Sequence, residues 1–212
     1  MPPIPPVTKA LMLVCVVAFC LDELMRAFGA TIVTSAGLVT VMDRWFGLWP
    51  LASGGFWPWQ VVTYALLHGD MVHLFFNMLG LWMFGAELER LWGQRRFQQM
   101  LLASVLAAAA VQIGFTALVG ARSYTVGASG ALFGLLLSFG MLFPNRVIMP
   151  LFPPIPMKAR TFVMVFGCME LFFGLTSRGG IAHFAHLGGM LGAFLLIRYW
   201  RGQPPFGGAR RR

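Results

Sequence analysis

Charge is scarce in this chain. Only 11% of its 212 residues are Asp, Glu, Lys or Arg, and just 7 are acidic. Average globular chains carry about 25% charged residues, so a water-facing surface over most of the molecule is excluded. Cysteine is scarcer: Cys15, Cys20 and Cys168 all lie in apolar segments, with no CxxC pair and no Cys/His ligand spacing. That excludes a disulfide framework and a zinc knuckle and leaves the thiols as small apolar fillers. The 4 histidines come without an HExxH motif or an accompanying carboxylate ligand, which argues against a metal hydrolase. Neither a metal nor a cofactor is expected. An internal repeat and a second domain are also lacking, so residues 1–212 read as a single domain.

Apolar residues are what the chain has in excess. They make up 58% of it, with 20 Phe and 7 Trp and a mean hydropathy of +0.74, the composition of an integral membrane protein. The net charge of +9 does not point to nucleic acid, because the basic residues fall between and after apolar runs instead of in one patch with interleaved aromatics. The lipid bilayer is the expected partner. Six helical spans are expected, at about 9–28, 71–86, 97–119, 129–143, 161–175 and 181–200. Residues 1–8, rich in proline, delay the first helix to about Lys9, and this run, without a small-x-small cleavage site, reads as a retained signal anchor. Residues 29–67, apolar but broken by Gly and Pro and holding Trp45, Trp49, Trp57 and Trp59, form an external loop at the bilayer interface. The stretch Glu87 to Arg96 is a charged cytoplasmic turn, and 201–212 is a basic tail.

Basic residues orient the bundle. With a cytoplasmic N-terminus, the inside segments hold Lys9, Arg90, Arg95, Arg96, Arg146, Lys158, Arg160, Arg198, Arg201 and Arg210 to Arg212, twelve against the four of Arg26, Arg44, Arg122 and Arg178 outside. Both termini are therefore expected in the cytoplasm. A six-helix core without a transit-type segment suits a bacterial or archaeal plasma membrane.

Polar groups inside apolar spans are costly, and they mark function. Helix two carries His73 and Asn77 one turn apart on one face. Helix four begins Gly127-Ala128-Ser129-Gly130, where the glycines leave the serine uncrowded and the helix start offers unpaired N–H groups. Helix six carries His183 and His186 in its first two turns. All three segments deliver these groups from the same side at the same depth. His186 with Ser129 is the natural base–nucleophile pair, and neutral donors such as an Asn amide and an imidazole N–H could hold the oxyanion. Phe133, one turn after Ser129, offers a ring for the imidazole to lie against. Gly130 with Gly134, and Gly188 with Gly192, are spaced to let helices four and six approach closely. Neither Asp70 nor Glu170 is obviously aimed at His186, so a dyad is the economical reading. Glu170 reads as a buried interhelical partner and His183 as structural.

The combination of His68, His73-Leu-Phe-Phe-Asn77, Gly127-Ala128-Ser129-Gly130 and Ala185-His186-Leu-Gly-Gly189 resembles the rhomboid family of intramembrane serine proteases. The resemblance runs from Trp59 to about Ala193 and implies an all-α, six-transmembrane-helix bundle. It further implies a Ser129–His186 dyad, an oxyanion site at His73, Asn77 and the Ser129 N–H, and supporting positions at His68, Gly127, Gly130, Phe133 and Gly189. The implied substrates are single-pass membrane proteins, cut near the outer end of their transmembrane helix. Two departures stand out: Trp59-Gln60 replaces the family's frequent Trp-Arg pair, and Phe133 stands where Tyr is common. Glu89 resembles a structural acid of the family. The alternatives are a rhomboid-like protein that binds transmembrane clients without cutting them, which the retained Ser129 and His186 oppose, and a small transporter. The transporter reading needs polar positions at the inner ends of the same helices, which instead read Gly80-Leu-Trp-Met-Phe84 and Ala193-Phe-Leu-Leu-Ile197.

Overall fold

A computed structural model describes residues 3–151, 154–176 and 181–206; Arg178 and Arg210 to Arg212 lie outside the described residues. The first helix, α1 (Pro6–Ala27), starts three residues before the expected Lys9, with Pro6 in its first turn. Proline is tolerated there because the first-turn N–H it lacks has no helical partner anyway. The first-turn donors that remain are satisfied from a distance. Glu89 Oε1 accepts the Val7 N–H at 2.9 Å, and its Oε2 accepts the Thr8 N–H and the Thr8 hydroxyl, each at 2.7 Å. Glu89 thus acts as a helix cap supplied by another segment. Glu89→Ala strands two backbone donors and a hydroxyl, and is expected to cost about 2–4 kcal/mol, read as a fall in thermal unfolding temperature; an unchanged temperature would sink the capping role.

The expected loop 29–67 is more ordered than its composition suggests. It holds an antiparallel hairpin, β1 (Thr31–Thr34) with β2 (Gly37–Thr40), and two short helices, α2 (Val41–Phe46) and α3 (Gln60–Thr63). Gln60, fully buried, organises it: its Oε1 accepts the N–H of Trp49 and Trp57, and its Nε2 donates to the Gly55 carbonyl at 3.1 Å. The uncharged amide needs no counter-ion, so this departure from the family pattern leaves a fully bonded loop.

Helix α4 (Met71–Gly80), capped by Asp70, passes through a π-helical turn (Leu81–Gly85) into α5 (Ala86–Val119). The charged turn expected at 87–96 is instead helix up to Trp92, because Glu, Leu and Arg are good helix formers. A single residue makes the break. Gly93 sits at φ 75° and ψ 165°, so α5 is two helices, 86–92 and 94–119. They run in opposite senses: Glu89 meets the start of α1, whereas Tyr124, just beyond Val119, bonds Asp43 past the end of α1. Helix α6 (Ser129–Leu142) follows, then a two-residue hairpin of β3 (Val147–Ile148) and β4 (Met157–Lys158), α7 (Ala159–Thr176) and α8 (Ile181–Trp200). Helices dominate, with two small hairpins beside them.

The core surrounds α6, whose Leu135 and Phe139 are buried against Leu81, Phe97, Met100, Ala193 and Ile197. Large apolar side chains face outward from α1 (Leu13, Val17) and α7 (Met164, Phe172, Leu175), as expected of lipid-facing surfaces. By length and composition, the run Met71–Val119 and α7 are apolar enough to cross a bilayer, and α6 is a shorter apolar helix of 14 residues.

In lipid the contacts between helices come from close packing instead of hydrophobic driving force. Gly130 and Gly189 place α6 and α8 backbone to backbone: a Cβ on Gly189 would overlap the Gly130 carbonyl group. Gly188 and Gly192, expected to face helix four, instead lie on α5, where a Cβ would meet Val111 or Ala107. Adjacent positions on a helix are about 100° apart, so when Gly189 faces α6 its neighbour Gly188 turns to the next helix.

Candidate active site

The bonded ends of the bundle sort the chemistry. Tyr64, His73, Thr125, Gly127, Ser129, Gly130 and His186 line one cavity of about 160 Å³, room for several waters. Its lining is fixed in part from the segment before α4: the Tyr64 carbonyl accepts the Gly127 N–H at 2.9 Å, while the Tyr64 hydroxyl donates to the Val105 carbonyl at 3.0 Å.

Ser129 is the first residue of α6, and His186 sits in the second turn of α8. Their side chains meet, with Ser129 Oγ 2.7 Å from His186 Nε2. Phe133 lies flat on the imidazole, with centroids 4.3 Å apart and planes 6° from parallel, which restricts the ring to rotations within its own plane. The other ring nitrogen, His186 Nδ1, is 2.8 Å from Glu170 Oε2. This corrects the reading that no carboxylate is aimed at His186. An ionised carboxylate only accepts, so in neutral His186 the proton lies on Nδ1 and the Nε2 lone pair faces the serine hydroxyl. His183 Nδ1 reaches the same Oε2 at 2.6 Å. Histidines three apart on α8 thus converge on one oxygen of α7, although their spacing puts them on neighbouring lines of the helix.

His73 stands opposite. Gly127 has φ +127°, and a Cβ there would lie 2.8 Å from His73 Nε2 and 3.5 Å from Ser129 Oγ. The missing side chain is therefore the gap between the serine and the second imidazole, and only glycine keeps it open. Asn77 is not part of the cavity lining. Its Nδ2 donates to the His73 carbonyl at 2.8 Å, bonding back to its own helix, and its buried Oδ1 has no partner among the described residues. The expected oxyanion pair is thus divided, with His73 at the cavity and Asn77 one turn below.

His68 packs edge-on against the His73 ring at 5.1 Å and is buried, with neither ring nitrogen in a well-formed hydrogen bond among the described residues. Burial first, and the His73 ring second, push its pKa down to about 4, against weaker upward pulls from the Leu66 carbonyl and Asp70. The unfolded chain then binds the extra proton between pH 6.5 and 4 while the folded one does not. Stability is therefore fully present above about pH 6.5 and declines by up to roughly 3 kcal/mol as pH falls toward 4. His68→Phe should flatten this decline in thermal unfolding across that window; a parallel decline in both proteins removes His68 as its source.

Three features escape sequence reasoning: the aim of Glu170, the bonding of Gln60, and the part Tyr64 plays in the cavity lining. Only the first has a signal, a lone carboxylate in an otherwise apolar helix.

Comparison with known proteins bears on the whole arrangement. A family model described as Rhomboid domain matches residues 56–202. RHOMBOID-like protein 4 of Arabidopsis thaliana is 33% identical over 138 residues, 65% of this chain and 33% of that protein. Rhomboid protein 1, mitochondrial, of Saccharomyces cerevisiae is 31% identical over 62% of this chain and 39% of that one. Rhomboid protease GluP of Bacillus subtilis is 31% identical over 68% of this chain and 26% of its own length. The chain thus spans about a quarter to two fifths of the length of these relatives.

Proposed function

Because the chain belongs to the rhomboid family, whose members include intramembrane proteases, we propose that it is a serine endopeptidase cutting single-pass membrane proteins at or near their transmembrane segment. It is an integral membrane protein of the family's helical type. The six spans, cytoplasmic termini and an active site opening to the extracytoplasmic side belong to this proposal, as does residence in a prokaryotic plasma membrane. The single observation that carries it is the 2.7 Å contact between Ser129 Oγ and His186 Nε2 at the wall of a cavity. An apolar cleft of about 370 Å³ lies beside it, running from Phe133 and Leu132 on α6 between Phe76 on α4 and Phe162 on α7. Its lining suits an apolar segment arriving sideways from lipid. The segment must unwind locally, because a helical peptide bond is shielded by its own turns.

In the reaction, Ser129 Oγ attacks the scissile carbonyl carbon while its proton passes to His186 Nε2. The carbonyl oxygen takes the negative charge in the gap over Gly127, where His73, with its proton on Nε2, and the Ser129 backbone N–H donate to it. Asn77 joins them only by leaving the His73 carbonyl. The C–N bond then breaks, His186 returns the proton to the leaving amine, and a seryl ester remains. Water attacks this ester, giving a proton to His186, and the serine leaves with that proton. Glu170 accepts the Nδ1–H hydrogen bond throughout and stabilises the imidazolium, so a Ser-His-Glu triad replaces the dyad.

The test is cleavage of a fluorogenic single-span substrate by the purified chain in liposomes. Absence of cleavage across substrates and lipid compositions, by folded protein, overturns the reading. Glu170→Gln, whose amide N–H turns His186 into the wrong tautomer, should lower kcat by roughly 10²-fold with KM within about twofold. The pH profile should shift as well, since the imidazolium loses its counter-charge. An unchanged kcat and profile, in a variant that melts like the parent, removes Glu170 from the triad.

A further inference from the structure

Glu170, His183 and His186 meet where α7 ends and α8 begins, and the reaction uses only two of them. We propose that these three side chains form a reversible binding site for a divalent cation of the zinc class, and that an occupied site switches the protease off. The inhibitory consequence rests on the proposed function; the binding does not.

The donor set is two imidazole nitrogens and one carboxylate oxygen, a combination that suits zinc and leaves a fourth position for water. One donor atom from each of Glu170, His183 and His186 lies within 4.8 Å of the other two. Both rings point their Nδ1 at the same oxygen, at 2.6 and 2.8 Å. Bonds of about 2.0–2.2 Å in a tetrahedral site put ligand atoms roughly 3.3 Å apart. The carboxylate therefore has to draw back by about half an ångström, a shift within reach of the rotatable bonds of Glu170. The cluster is not sealed, since the His183 side chain is 27% exposed while Glu170 and His186 are 13% and 15% exposed. The site is thus half enclosed, with its open side at the one ligand the reaction does not need.

The switch follows from tautomers. Without a cation, His186 keeps its proton on Nδ1, toward Glu170, and offers Nε2 to Ser129. A cation on Nδ1 takes that lone pair, so the ring proton moves through solvent to Nε2 and no proton is lost overall. His186 then donates to Ser129 Oγ and can no longer accept its proton. The cation also takes the carboxylate that would stabilise the imidazolium. Substrate binding is untouched, because the cluster lies behind the imidazole as seen from the cavity, so inhibition should appear in kcat.

Two arms test this. In the first, the inactive Ser129→Ala chain is titrated with buffered zinc against a fluorescent chelator. One zinc per chain is expected, with binding at least ~10-fold weaker in Ser129→Ala/His183→Asn, whose amide can still hydrogen-bond Glu170 but is a poor ligand. In the second, zinc should lower kcat of the active chain, EDTA should restore it, and His183→Asn should cleave normally while losing the sensitivity by the same factor. No zinc uptake by the Ser129→Ala chain, or equal uptake and equal inhibition with His183→Asn, overturns the site. Zinc uptake that depends on His183, in a chain that cleaves nothing, upholds the site and overturns the protease reading instead.

Discussion

Ser129→Ala should reduce cleavage of a transmembrane substrate to the assay floor, a loss of roughly 10³- to 10⁶-fold in kcat, with unfolding temperature nearly unchanged. The substitution removes one oxygen whose bond, to His186 Nε2 at 2.7 Å, faces a cavity and not the packed core. Its folding cost is that of a single hydrogen bond left open to water, about 1 kcal/mol or less. The catalytic cost is the covalent pathway itself. Among the described residues, the other two hydroxyls at the cavity wall are bonded elsewhere, Tyr64 donating to the Val105 carbonyl and Thr125 accepting from the Gln112 amide. Because serine and histidine act as one unit, Ser129→Ala with His186→Ala should be no slower than either alone. Residual activity above about 1% of the parent in Ser129→Ala, or losses that multiply in the double variant, would show that another group performs the attack.

Gly189→Val should be as damaging by a different route, lowering stability by about 3 kcal/mol or more and abolishing activity in whatever folds. Any Cβ at Gly189 overlaps the Gly130 backbone, and backbone cannot step aside as a side-chain end can. The two helices would separate at the level where one carries Ser129 and the other His186. An extra ångström between those side chains breaks a 2.7 Å contact and costs on the order of 10²-fold in rate even without unfolding. Gly167→Ala is the matched control. There a Cβ would meet only the flexible Met190 side chain, 3.3 Å from its terminal methyl carbon, and stability should change by less than about 1 kcal/mol. Equal melting temperatures and equal activity for Gly189→Val and the parent would mean that α6 and α8 are not held as described.

How far each feature could be read from residues depends on how local its cause is. The boundaries of α6 follow from a glycine-flanked serine and an apolar run ending at a proline, and those of α8 from an unbroken apolar pattern. The start of α1 is not legible, because a proline-rich stretch reads as a helix breaker while Glu89, 82 residues from Val7 and 81 from Thr8, supplies what the first turn lacks. The break at Gly93 falls inside the turn expected at 87–96, but its shortness is not legible, since one left-handed residue can end a helix inside a run of good helix formers. At the site, Ser129, His186 and His73 line one cavity, and each carries the same signal in the sequence, a polar group in an apolar helix at a shared depth. Asn77 carried the same signal, yet its amide is spent on its own helix.

The sequence alone therefore determined that the chain lives in a bilayer, roughly which long stretches are helical, and which side chains are too costly in lipid to be there by accident. It did so because hydropathy and helix periodicity are properties of contiguous residues. Only the tertiary structure decided what those side chains face: that α7 turns Glu170 onto both histidines of α8, that Gly188 packs on α5 while Gly189 meets α6, and that Gln60 closes the tryptophan loop. The rotation of a helix about its axis is fixed by the neighbours it packs against, and no single segment contains that information.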